Sequence, residues 1–322
     1  DKYRLTAGTI RDCVEGYQDR LLMKGAQPNM ADLLAACTDQ LEHRLGRDAV
    51  RIEAKYRWED LILPKPQKKL LADACDQVLL HHQVYHRWGF DKKLAYGKGV
   101  SMIFYGPPGT GKTMGAQVIA NRLQMELYKV EMSGVLSKYV GESEKKLGNI
   151  FEQAKKSQSI LFFDEADVLF GKRTDQKDSN DKYSNAGTAY LLQKIEEYEG
   201  IIILATNFLQ NFDNAFLRRF QFIIEFPFTD VPRRKEIWQK VFPPELPREE
   251  LDLDFLAEEF HFSGSQIKNV AVAAAFLAAG EQTSLNMKHV LTAVKREMTK
   301  TGKTLIASDF GVYYYLMEEV EG

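Results

Sequence analysis

The sequence predicts an α/β chain: a five-stranded parallel sheet sandwiched by helices, an N-terminal helical hairpin before it and an all-helical unit after it. Three observations carry this reading. Five short apolar or β-branched runs recur with helical patterns between them, as parallel strands covered on both faces do. A glycine-rich turn follows the first run directly. A group of prolines, Pro232, Pro243, Pro244 and Pro247, then marks a change of regime, beyond which only helical patterns continue.

Taken in order, residues 1–48 read as a helical hairpin. The runs 100–105 (VSMIFY), 127–130, 160–163, 201–205 and 222–226 read as strands, with a helix over 112–124. The polar stretch 172–185 (KRTDQKDSNDKYSN) lacks apolar periodicity and reads as an exposed loop. Helices are expected over 251–259, 264–279 and 286–299. The aromatic end, with Tyr313, Tyr314 and Tyr315, is expected to pack back as a short helix. The expected units are 1–48, a sheet domain over 49–227, a helical lid over 228–302, and a tail over 303–322 that packs on the lid.

Composition narrows the function. The 322 residues hold 43 Lys and Arg against 45 Asp and Glu, a net charge of −2. Such a chain lacks the bulk basic field of a typical nucleic-acid binder, so a nucleic-acid partner is not expected. The longest apolar run, 270–279, falls short of the roughly 18 residues of a membrane span, so no membrane partner is expected either. Cys13, Cys37 and Cys75 show no metal-ligand spacing and suit a reducing cytoplasm, each as a small buried hydrophobe. His82 and His86 share a predicted helix face, but without a third ligand they read as a solvated face rather than a zinc site. No basic-then-apolar leader opens the chain, and Asp1 in place of Met suggests a fragment or processed product.

Gly106, Pro107, Pro108, Gly109, Thr110, Gly111, Lys112 and Thr113 match G-x-x-x-x-G-K-[ST] between a strand and a helix. Glycines let successive backbone N–H groups turn inward around phosphate oxygens, and the helix adds its N-terminal dipole. Lys112 would reach the β- and γ-phosphates of ATP, and Thr113 would ligate Mg²⁺. About fifty residues on, the strand 160–163 ends in Asp164 and Glu165. Asp164 would hold Mg²⁺ through its waters, and Glu165 would orient and deprotonate an attacking water.

With Ala205-Thr206-Asn207 at a strand end and the pair Arg218-Arg219, these motifs resemble the AAA+ ATPases, and within them the AAA clade of protein remodelers. The resemblance runs in order from about Trp58 to Met298. It implies a P-loop ATPase domain, a helical lid, nucleotide at a subunit interface and a homo-hexameric ring. It further implies that Asn207 is the sensor that polarises water with Glu165. Arg218 and Arg219 resemble the fingers that act on a neighbour's nucleotide; family members space their two arginines further apart, so which one reaches the phosphate stays open. Gly264 resembles the start of the lid helix near the base. Asp60 and Leu61 resemble the segment whose backbone contacts adenine, and equally an ordinary connection.

Lys138, Tyr139 and Val140, followed by Gly141, resemble the aromatic pore loop of protein-threading members of this family. Aromatic side chains grip an extended polypeptide by contact area, without reading its sequence. The resemblance therefore implies a protein substrate threaded through or gripped at the pore, and a remodeler or unfoldase that hydrolyses ATP. A nucleotide-dependent assembly scaffold with incidental turnover is the alternative. The runs 138–171 and 216–227, with the ending Ala307-Ser-Asp-Phe-Gly-Val-Tyr, resemble the ATPases of bacterial phage-tail-like contractile injection systems, implying a role in particle assembly or cargo loading.

One expectation comes from internal similarity. With Leu5 set on Phe262 and no gaps, Ile10 meets Ile267, Asn29 and Met30 meet Asn286 and Met287, and Leu33 and Leu34 meet Val290 and Leu291. Residues 1 to about 45 would then be the lid remnant of a preceding module, with an apolar face including Ile10, Leu33 and Leu34. Two unrelated amphipathic hairpins would give a similar pattern.

Overall fold

A computed structural model describes residues 7–24, 33, 49–94, 97–135, 142–167, 179–300, 302–303 and 305–318. Its six strands are β1 (Val50–Ile52), β2 (Val100–Tyr105), β3 (Leu127–Glu131), β4 (Ile160–Asp164), β5 (Ile201–Thr206) and β6 (Phe222–Glu225), in sheet order β1-β3-β4-β5-β2-β6. The five expected strands pair in parallel. The sixth corrects the expected count: β1 adds to the β3 edge antiparallel, Val50 opposite Lys129. Three residues with an exposed–exposed–intermediate pattern carry no apolar run to announce a strand.

Both faces of the parallel strands are covered, which is why they read as continuous apolar runs. On one face Ile103, Val130, Phe163 and Leu204 join Leu147, Ile150 and Phe151 of the helix Glu142–Ser157 and Leu191 and Ile195 of the helix Ser179–Glu197. The alternate residues Met102, Phe104, Phe162 and Ile203 are also buried. Beside the strands that carry them run the helices Lys65–Leu79, against β2 and β6, and Lys112–Leu123, against β3, β4 and β5. Each large apolar side chain removed from water contributes about 1.5–3 kcal/mol.

The helix Ser179–Glu197 also corrects the expected loop, because 179–185 belongs to its first turns. Residues 172–178 lie outside the described ones, as does Cys37. Cys13 and Cys75 are buried.

The described chain divides into two compact units: 1–58, 65–105 and 112–225 form one, and 59–64, 106–111 and 226–322 form the other. Within the second, the helices Val231–Val241, Leu253–Glu259, Gly264–Glu281 and Met287–Lys300 enclose Trp238, Leu256, Phe262, Val270 and Leu291. Phe310 and Met317 of the C-terminal turns join the same core, both fully buried. Buried Arg234 donates to the carbonyls of Ala257 (2.8 Å) and Thr229 (2.5 Å). At the N-terminus Ala7–Lys24 is a helix; Ile10 is exposed and Leu33 half-buried, while Leu34 and the expected turn lie outside the described residues.

Candidate active site

Parallel pairing sets strand ends side by side. Tyr105 lies opposite Thr206, and Phe163 opposite Leu204, so the carboxyl ends of β2, β4 and β5 share one edge of the sheet, where ligands of open α/β sheets bind. Three chain segments deliver polar groups to this unit of the fold. The helix Lys112–Leu123 brings Lys112 and Thr113, β4 brings Asp164 and then Glu165 and Asp167, and β5 brings Thr206 and then Asn207.

These groups form one network. Lys112 Nζ donates to Asn207 Oδ1 at 2.8 Å. The Asn207 amide Nδ2 faces Asp167 Oδ2 at 3.4 Å, and its backbone N–H donates to Asp167 Oδ1 at 3.1 Å. Thr206 Oγ1 also donates to Asp167. The carboxylate thus fixes both the backbone and the amide orientation of Asn207. Burial depresses the Lys112 pKa below the usual lysine value, against the opposing charges of Asp164 and Asp167. A partly desolvated ammonium at a strand-end crevice suits a polyanion.

Glu165 follows β4 with φ 54°. Among the described residues, three other non-glycines have positive φ: Gln124, Gln158 and Gln282, each just past a helix end where a left-handed residue is ordinary. Glu165 instead follows a strand. Such a conformation costs on the order of 1–3 kcal/mol and collects at functional sites. Its N–H donates to Asp164 Oδ1 at 3.0 Å, and its side chain stays exposed.

Asp164 holds a second partner that sequence reasoning did not find. Lys129 Nζ lies 2.9 Å from Asp164 Oδ2 and 3.7 Å from Glu131 Oε1. Burial works against the Lys129 ammonium, but the hydrogen bond and charge of Asp164, with Glu131 and Glu165 nearby, outweigh it and raise its pKa. Asp167 was also missed. Its signal was the third acid of Asp164-Glu165-Ala166-Asp167, but its bond to Asn207 depends on tertiary structure.

In the second unit, Gly106, Gly109 and Gly111 have φ of 143°, 76° and 100°. A Cβ on Gly106 would run into the Phe226 carbonyl, and one on Gly109 into Ser265 Oγ. The loop is therefore a cradle that side chains would fill. Within it Thr110 Oγ1 donates to Pro107 O at 2.8 Å; Pro107 and Pro108 are exposed. The helix from Gly264 starts with a capping box, Ser263 with Gln266, and Ser265 N–H donates to Gly109 O at 3.1 Å. Leu61 is buried and Asp60 exposed; next to them, Lys240 Nζ donates to Glu59 O at 2.6 Å.

The residues fit ATP and Mg²⁺. Glycines with positive φ suit a phosphate loop, a desolvated lysine suits a polyanion, and a hydroxyl and a carboxylate, Thr113 and Asp164, suit Mg²⁺. Arg218 and Arg219 are both exposed. Arg219 pairs with Glu196 at 2.7 Å, and Arg218 has no ion-pair partner among the described residues. Lys138, Tyr139 and Val140 lie outside the described residues.

Comparison with known proteins agrees with this geometry. Residues 102–228 match the family described as ATPase family associated with various cellular activities (AAA). The proteasome-activating nucleotidases of Sulfurisphaera tokodaii and Saccharolobus solfataricus are each 34% identical over 215 residues, 64% of this chain and 54% of theirs. The 26S proteasome regulatory subunit 6B homolog of Dictyostelium discoideum is 30% identical over 249 residues, 75% of this chain and 60% of its own. The chain thus spans little more than half the length of these relatives. The phosphate loop, the strand-end acids and the asparagine all lie within residues 102–228, the stretch that matches the AAA ATPase family.

Proposed function

We propose that this protein hydrolyses ATP in a homo-hexameric ring in the cytoplasm and uses the turnover to remodel or unfold protein substrates. The observation that carries the reading is the network joining Lys112, Asn207 and Asp167 beside the positive-φ Glu165. In this reading the loop glycines and Lys112 bind phosphate, with Gly264 and the Asp60–Leu61 backbone toward the base. Thr113 and Asp164 hold the metal. Bound Mg²⁺ neutralises charge on the phosphates. Glu165 takes the proton of the attacking water, Asn207 orients that water, and Asp167 holds Asn207. Arg218 reaches a neighbour's site.

Relatives named for activating proteasomes support a protein substrate. Tyr139, with Lys138 and Val140, would grip it. Service to a contractile injection particle is the finer reading, and it rests on the sequence runs alone.

Glu165→Gln tests the proposal. It should bind a fluorescent ATP analogue normally and lose about 10²–10⁴-fold in hydrolysis, because only proton transfer is removed. Turnover near the native rate would overturn the assignment of the base. The same variant traps partners: recovery of sheath or tube proteins would support the injection-particle reading, and recovery of varied unfolded clients would favour a general unfoldase.

A further inference from the structure

The ion pair between Lys129 and Asp164 has no role in the reading above. β3 is apolar at Leu127, Tyr128 and Val130, all buried, yet it carries a lysine in mid-strand. Side chains two apart share a face of a strand, so Lys129 and Glu131 point the same way. The parallel register sets Glu131 opposite Asp164. The Lys129 ammonium comes to 2.9 Å from Asp164 Oδ2, with both side chains largely withdrawn from solvent, at 27% and 21% exposure. The other Asp164 oxygen accepts from Glu165 N–H. The carboxylate assigned to magnesium is therefore already neutralised from within.

A dication and an ammonium compete for one carboxylate, and in a partly buried site their repulsion is only partly screened. Glu131 Oε1, at 3.7 Å from the same ammonium, gives Lys129 a second acceptor on the same strand face. We infer that Lys129 is a positioning residue that sets the magnesium demand of the site, holding Asp164 when no metal is bound and yielding toward Glu131 when one arrives. The inference rests on the reading of Asp164 as the metal-holding carboxylate.

Mn²⁺ binding tests it without turnover. Electron paramagnetic resonance on the full 322-residue chain with ADP counts free and bound Mn²⁺ directly. Lys129→Met, which keeps the stem and removes the charge, should tighten Mn²⁺ on the order of tenfold, the size of a partly screened neighbouring charge. Lys129→Arg should stay near wild type. Glu131→Gln, which removes the charge of the second acceptor, should weaken Mn²⁺ severalfold. Unchanged or weaker binding by a folded Lys129→Met, or unchanged binding by Glu131→Gln, would overturn the inference. If Lys129→Met does not fold, Lys129→Gln takes its place. Asp164→Asn separates the two levels. If it leaves Mn²⁺ affinity intact, the reading of Asp164 itself fails; if it weakens Mn²⁺ while neutral residues at 129 do nothing, only the role of Lys129 fails.

Discussion

Arg219 holds Glu196 at 2.7 Å, while its neighbour Arg218 carries an exposed guanidinium with no ion-pair partner among the described residues. On this asymmetry we propose Arg218, rather than Arg219, as the finger. A half-exposed pair such as Arg219–Glu196 contributes about 0–1 kcal/mol. Arg219→Ala should therefore lower the thermal midpoint slightly and leave most of the turnover. Arg218→Ala should leave stability and ATP affinity intact and cut turnover by about 10³ or more, the scale of a finger arginine. Steady-state ATPase assays beside melting curves check both. Partial recovery of activity in rings mixed with Glu165→Gln subunits is expected for a finger acting in trans. If Arg219→Ala proved the more damaging to turnover, the roles would be reversed.

At the scale of elements, the C-terminal turns belong to the core of the second unit. Phe310 is fully buried, with its ring 6.1 Å from that of Phe260. Phe310→Ala should destabilise that unit by about 3–5 kcal/mol, the usual loss for a buried phenylalanine. A denaturant titration reads this, and a loss under 1 kcal/mol would mean that the turns are not held there. What was legible in the sequence follows from locality. The five parallel strands announce themselves as apolar runs because both their faces are covered, and the phosphate loop is a contiguous motif whose neighbours in sequence are its neighbours in space. β1 escaped because a three-residue edge strand buries little. The start of the helix Ser179–Glu197 escaped because its first turns carry no apolar period. Lys129 and Asp167 escaped because their partners are fixed by strand register and by the fold, which composition and spacing do not encode.

For the whole molecule, no helix among the described residues is long and apolar enough to cross a membrane. Its proposed work is on polypeptide, and that work should be separable from chemistry. Tyr139→Ala should keep basal ATPase and lose substrate processing, whereas Tyr139→Phe should retain much of both. An unfolding assay on a fluorescent substrate, run beside phosphate release, distinguishes them. Equal processing by the alanine variant would remove the gripping role.

The contact from Ser265 N–H to Gly109 O has a consequence for genetics. It is made between main chains, so alanine at 265 leaves it in place and reports the position as tolerant. Only proline, which lacks the N–H and is accepted in a first helical turn, would expose the link. Tolerance of alanine at 265 beside intolerance at Gly109, whose φ is 76° and whose Cβ would meet the Ser265 hydroxyl, would then arise at two ends of a single backbone bond.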